Sequence, residues 1–213
     1  MSRRGADSRL RVVVDAVVAL ALLLLMAPVL LGVAVAIRVS DPGPVLFRQE
    51  RLGARRRPFR MLKFRTMVIG NDDRVHREYV TALLTADEAP HGGEEGVYKL
   101  AADPRVTRIG ALLRRTSTDE LPQLWNVVRG EMALVGPRPV LGWEAELFPD
   151  WSTPRFDVRP GLTGLWQIRG RSALDYQEAL ALDVEYVRSR SFWLDLRILA
   201  TTPIGLLDAG RAR

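Results

Sequence analysis

The run VVVDAVVALALLLLMAPVLLGVAVAI, Val12 to Ile37, constrains this chain more than any other feature. No residue from Ala16 to Ile37 is charged, so the stretch reaches the roughly 20 apolar residues needed to cross a hydrocarbon core of ~30 Å. Pro28 lies inside it. The missing proline amide and the clash of its ring with the preceding turn predict a helix divided there, with Gly32 in the second piece. Arg3, Arg4, Arg9 and Arg11 precede the run, and Arg38, Arg48, Arg51, Arg55, Arg56 and Arg57 follow it, so both flanks favour the cytoplasmic side. Three arrangements fit: a re-entrant hairpin broken at Pro28 with both basic flanks on the anionic inner leaflet, a single span, and a cleaved signal peptide ending near Ala34-Val35-Ala36. The flanking charges favour the hairpin. The length of the run and the presence of Asp15 count against the signal peptide, whose apolar region usually has ~7 to 15 residues.

The turn-rich Asp41-Pro42-Gly43-Pro44 marks a boundary, giving a membrane segment at 1–40 and a second domain at 41–213. The net charge of +6 is unevenly spread: residues 1–65 hold 13 Lys/Arg and 4 Asp/Glu, leaving 18 against 21 for the rest. The basic excess belongs to the membrane end, which argues against nucleic acid as a partner. With 47% hydrophobic residues the chain can build a core, and with Cys at 0 it has neither disulfides nor thiolate metal sites.

VLFRQER and PFRMLKFRTM read as two short strands joined by a basic turn. On a strand Lys63 and Arg65 share a face, which suits an anion or simply a solvated edge. Residues 71–84 predict a helix and ADEAPHGGEEG a polar loop; His76 and His91 have no second ligand at metal spacing. A helix begins near Asp103-Pro104, with Val106, Ile109, Leu112 and Leu113 at helical spacing.

TDELPQLWNVVRGEM then places Asp119 and Glu120 side by side. A capping box from Ser117 to Glu120 would put Pro122 at the fifth helical position, where it breaks a ladder bond. Asp119 as N-cap puts Pro122 at the third position and predicts a buried stripe of Leu121, Leu124, Trp125 and Val128, ending near Arg129-Gly130. A cap explains one acid and leaves the second for chemistry. GPRP fixes Arg138 between two prolines, and VRPGLTGLWQIRGRS offers Arg159, Gly164, Arg169, Gly170 and Arg171 in a loop suited to phosphate. In the next helix Asp183 and Tyr186 lie one turn apart. The C-terminal SFWLDLRILATTPIGLLDAG reads equally as an interfacial helix and as a packing helix.

KFRTM, DPRVTRIGALLRRTSTDELPQLWNVVRGEMALVGPRP, RPGLTGLWQIRGRS and LDVEYV together resemble the bacterial sugar transferases of the monotopic phosphoglycosyl transferase family, in order from about Arg9 to the C-terminus. The resemblance implies a mainly helical α/β fold: a re-entrant membrane helix broken at Pro28, and a catalytic domain on the cytoplasmic face of the bacterial inner membrane with a small β element and amphipathic interfacial helices. Ala27 replaces the serine that often precedes the family's proline. It further implies transfer of sugar 1-phosphate from a nucleoside diphosphate sugar, typically a UDP-sugar, to polyprenyl phosphate. Asp119 matches the nucleophile of a covalent phosphosugar intermediate, and Glu120 the second acid, as Mg2+ ligand or proton acceptor. Lys63, Arg65, Arg138 and Arg159 are then expected on phosphate oxygens, Asp119 and Glu120 on Mg2+, and Asp183 as a structural or metal-site partner. A homo-oligomer is left open. The rivals are a membrane-anchored basic adaptor, whose binding would ignore Asp119 and Mg2+, and a lipid phosphatase that passes the phosphate to water.

Overall fold

The computed structural model describes residues 9–68, 77–78, 81, 105–169 and 175–211, with side chains up to residue 202. Most of the helix expected at 71–84, the loop after it, His76, His91, Gly170 and Arg171 lie outside these residues. The apolar run is one helix, α1, Arg9–Ser40, continuous through Pro28. The expected division at Pro28 is therefore corrected. Proline removes one ladder donor, the one that would serve the Leu24 carbonyl, and both flanking halves are held by packing. Ala19 and Leu23 pack with Leu124, Val127 and Met132, while Leu30, Val33, Ala34 and Ile37 pack with Phe64 and Leu113.

The two strands foreseen after the membrane segment are β1, Leu46–Leu52, and β2, Pro58–Phe64, paired antiparallel from Leu46↔Phe64 to Leu52↔Pro58. Their connection is a 3-10 turn, Ala54–Arg56, with Arg55 and Arg56 both at φ 56. A second ribbon pairs β3, Ala133–Val135, with β4, Gly161–Thr163, in parallel. Its chains approach too closely for side chains: a Cβ on Gly161 would lie 2.1 Å from the Gly136 nitrogen, and one on Gly164 2.3 Å from the Gly136 oxygen. The glycines of GPRP and RPGLTG thus serve backbone contact between these segments, sealed by Gly136 N–H to Thr163 O at 2.9 Å and Gly161 N–H to Pro137 O at 2.8 Å.

Around these ribbons stand α2, Arg108–Arg115; α3, Gln123–Val128; α4, Gly142–Glu146; α5, Leu165–Arg169; α6, Tyr176–Ser189; and α7, Phe192–Arg211. The mainly helical character with small sheets matches the expectation. In α6, Asp175 caps the first turn by accepting from Glu178 N–H. Helix α7 has two faces: Ile198 and Leu194 join the core, as the packing reading expects, while Phe192, Trp193, Leu196 and Leu199 are exposed.

Two ion pairs fasten α1 to the domain. Asp15 meets Arg159 at 2.6 Å, and Arg11 meets Asp195 at 3.2 Å. Asp195 Oδ1 also lies 2.7 Å from the hydroxyl of buried Tyr186, which is 3.1 Å from the Val135 carbonyl. Burial, reinforced by the Asp195 charge, raises the Tyr186 pKa well above its ordinary value, so it remains a neutral donor. Arg159 donates a further bond to the Met132 carbonyl at 2.8 Å.

Replacing Asp15 by Leu removes the carboxylate that meets buried Arg159 at 2.6 Å. Stability in nanodiscs should fall by about 3 kcal/mol, while the double variant D15L/R159L should recover most of it in thermal unfolding.

Candidate active site

The acids sit where a short turn meets a short helix. Thr118–Glu120 is a 3-10 turn, preceded by Ser117 in a left-handed conformation at φ 53 without a side-chain cap. Helix α3 starts only at Gln123, with Pro122 as N-cap. The assignment of Asp119 as N-cap is therefore corrected, while the capping box that Pro122 argued against is indeed not formed. The cause is Pro122 itself. Bonds run Glu120 N–H to Ser117 O and Leu121 N–H to Thr118 O, each at 3.2 Å, but the next donor in that series would be the absent proline N–H. The series resumes with Leu124 N–H to Leu121 O at 3.0 Å.

The predicted stripe also shifts. Leu124 and Val127 are core residues, Trp125 is 48% exposed, and Asn126 is fully buried. Helix α3 ends as anticipated, with Arg129 as C-cap and Gly130 at φ 73. Asn126 was missed by periodicity because a polar residue inside a short apolar stripe reads as its solvated edge. Its side chain instead completes the outer edge of β2: Oδ1 accepts from Leu62 N–H at 3.0 Å, and Nδ2 donates to Arg60 O at 2.8 Å and to Glu131 Oε2 at 2.7 Å. The amide thus stands in for a neighbouring strand and locks β2 to α3.

That lock carries Lys63, the residue after Leu62, to the acidic turn. Lys63 Nζ lies 2.7 Å from Glu120 Oε1. Asp119 beside it is buried, with 8% of its surface exposed, while the Glu120 side chain is 34% exposed. Buried Arg51 connects this corner to GPRP. It pairs with Glu144 at 3.4 Å and feels the charges of both Glu120 and Arg138; burial, only partly offset by Glu144, lowers its pKa to about 10. The Arg138 guanidinium stands 5.6 Å from the centre of the Trp166 ring.

The other expected residues are placed elsewhere. Arg65 pairs with the Asp41 carboxylate at 3.4 Å and donates to the Asp41 carbonyl, next to the exit of α1. Its Nη1 is buried without a hydrogen-bond partner. Arg159, expected on phosphate, meets Asp15 at 2.6 Å and donates to the Met132 carbonyl at 2.8 Å. Asp183 takes the structural alternative, bound by Arg155 at 2.6 Å. Arg169 pairs with Glu185 at 2.9 Å on the surface. No group of three or more His, Cys, Asp or Glu side chains suited to a metal converges among the described residues. The two adjacent acids suit a hard cation that takes one or two carboxylates and completes its shell with water and phosphate, which is the habit of Mg2+.

A family model described as "Bacterial sugar transferase" matches residues 6–209. The UDP-galactose-lipid carrier transferase of Erwinia amylovora is 42% identical over 188 residues, 88% of this chain and 38% of that protein. The exopolysaccharide production protein ExoY of Rhizobium meliloti is 42% identical over 197 residues, 92% of this chain and 85% of that protein. The UDP-glucose:undecaprenyl-phosphate glucose-1-phosphate transferase of Caulobacter vibrioides is 39% identical over 221 residues, 100% of this chain and 74% of that protein. The chain therefore spans less than half of the Erwinia relative and most of the other two.

Asn126→Ala strands the Leu62 N–H and the Arg60 carbonyl. It should cost about 2 kcal/mol and speed hydrogen exchange at the Leu62 amide; unchanged exchange there would exclude the strand-completing role.

Proposed function

The chain belongs to the bacterial sugar transferase family, and from that premise we propose that it transfers a sugar 1-phosphate from a UDP-sugar to undecaprenyl phosphate, releasing UMP. The observation that carries this reading is the buried Asp119 beside a Lys63–Glu120 ion pair, in a domain fastened along an apolar helix. A phosphate on a membrane lipid and a soluble sugar nucleotide can both reach such a corner.

In the first step an Asp119 oxygen attacks the phosphorus that bears the sugar. The P–O bond to the nucleotide's α-phosphate breaks, UMP leaves, and the sugar phosphate stays on the carboxylate. In the second step an oxygen of undecaprenyl phosphate attacks the same phosphorus, the P–O bond to Asp119 breaks, and the carboxylate is restored with formation of a diphosphate-linked sugar lipid. Both nucleophiles are anions. Because a phosphate monoester with a second pKa near 6 is largely dianionic at neutral pH, no proton has to be removed, and we assign Glu120 to cation binding rather than to general base work. Lys63 and Arg138 neutralise the phosphate oxygens as charge shifts toward the leaving group. Mg2+ held by Asp119, Glu120 and the diphosphate would supply further charge neutralisation. The buried Nη1 of Arg65, at the end of α1, is a candidate donor to the lipid phosphate.

The same geometry supports a monotopic placement. Residues on both sides of Pro28 pack against one domain, from Ala19 to Ile37, about 27 Å along a straight helix axis. A helix crossing the bilayer would carry that domain into the hydrocarbon core, so we read α1 as lying along one leaflet with both basic flanks on the cytoplasmic face. The exposed Phe192, Trp193, Leu196 and Leu199 of α7 suit the same interface. The product would begin a membrane-linked glycan such as an exopolysaccharide.

Asp119→Asn should lower UMP release by on the order of 1000-fold or more while leaving the thermal unfolding profile intact. Incubating wild-type protein with a UDP-sugar alone should give a sugar-phosphate adduct on Asp119 by mass spectrometry. Reaction only in a ternary complex, with no adduct, would reject the two-step route. Chelation of divalent cations should abolish turnover, and Mg2+ should restore it.

A further inference from the structure

The main chain that carries Arg138 is held by two buried ion pairs that the proposed chemistry does not use. Arg155 and Asp183, with side chains only 2% and 4% exposed, meet through Nη2 at 2.6 Å and Nε at 3.2 Å on one carboxylate oxygen. The same Nη2 donates to the Arg138 carbonyl at 2.8 Å. Burial raises the Asp183 pKa, while Arg155 and a backbone hydrogen bond from Arg138 favour its ionised form. Arg155 is further walled by the rings of Phe148 and Phe156, at 5.1 and 5.4 Å.

The neighbouring peptides are held as well. Arg51 Nη1 lies 3.5 Å from the Pro139 carbonyl, and the Leu52 N–H donates to the Val140 carbonyl at 2.8 Å. Three consecutive carbonyls, from Arg138 to Val140, are therefore tied to residues distant in sequence, and Pro137 and Pro139 restrict φ on either side of Arg138. The Arg138 guanidinium lies over the Trp166 ring, 5.6 Å from its centre. A buried ion pair is often no more stabilising than an apolar pair of the same volume, so stability alone does not account for Arg155 and Asp183 at this place.

We propose that Arg155 and Asp183 are positioning residues whose contact with the Arg138 main chain aims its guanidinium at a phosphate oxygen of the sugar nucleotide. This rests on the reading of Arg138 as a phosphate ligand. The Arg155 fork is essential to it, because one guanidinium must serve a carboxylate and a carbonyl together. Lysine in its place keeps the charge but not the two directions.

A double-mutant cycle on the full-length protein in nanodiscs tests the proposal, with UMP release from UDP-glucose or UDP-galactose and undecaprenyl phosphate as readout. R155M/D183L should retain the unfolding midpoint yet lower kcat/KM about tenfold or more, and should have an effect below about twofold when Arg138 is already Ala. If R155M/D183L does not fold, R155K goes through the same cycle with the same expected pattern. An equal loss with and without Arg138, or no loss in either background, overturns the positioning role alone. An R138A variant that turns over like wild type overturns the phosphate assignment of Arg138 and the positioning role with it.

Discussion

A carboxylate at the edge of a long apolar run needs an opposite charge, and the meeting of Asp15 with Arg159 at 2.6 Å supplies it in a way that organises the whole domain. Arg159 lies just before the Pro160-Gly161 turn into β4, and its other arm holds the Met132 carbonyl just before β3. One guanidinium therefore joins the membrane helix to both chains of the parallel ribbon. Removing either charge would leave the other stranded in surroundings that cannot hydrate it. The position of α1 and the register of β3 on β4 are thereby linked, and GPRP leaves β3 in a direction fixed relative to α1.

Polar groups with specific partners continue that logic toward the site. The parallel ribbon leads to Arg138, whereas the antiparallel hairpin presents Lys63, and little in the two-stranded sheets themselves would hold one against the other. Asn126 joins the hairpin to α3, and Arg51 joins it to GPRP through Glu144 and the Pro139 carbonyl. Hydrophobic contact among Met61, Leu124, Val127 and Met132 supplies general attraction, but apolar surfaces slide on one another more easily than hydrogen bonds do. The buried amide and guanidinium side chains set the register at which Lys63 faces Glu120.

The features legible in the sequence are those governed by short-range pattern. The apolar run, the alternation of the hairpin, the capped helix α6 and the glycine after α3 all follow from spacing and local dihedral preference. The acidic corner was legible too, because two adjacent acids beside a proline exceed what a cap requires. The partners of the arginines were not. Asp15 and Arg159 are separated by 144 positions, Arg155 and Asp183 by 28, and Arg51 and Glu144 by 93. Arginine in a glycine-rich loop suits phosphate and a buried carboxylate alike, since both accept the same fork. The one available signal was Asp15, a lone acid in the apolar run whose cost implied a cation somewhere else in the chain. Asn126 offered a weaker one, as the polar residue between two apolar neighbours.

Pro122 shows how the backbone reconciles structure with chemistry at Asp119. Had Asp119 capped α3, its carboxylate would have been committed to amides of the first helical turn, and attack on phosphorus would have required leaving that cap. The missing proline N–H interrupts the bonding series after Leu121, so that the acids occupy a separate 3-10 turn and α3 begins with Pro122 as its cap. The helix thereby acquires a start that needs no side-chain donor or acceptor. Asp119 stays close to α3, held at the buried end of the turn, without serving as its cap. Glu120, one residue on, points instead to Lys63. The two adjacent acids thus face different surroundings, one buried and the other partly exposed and paired with Lys63.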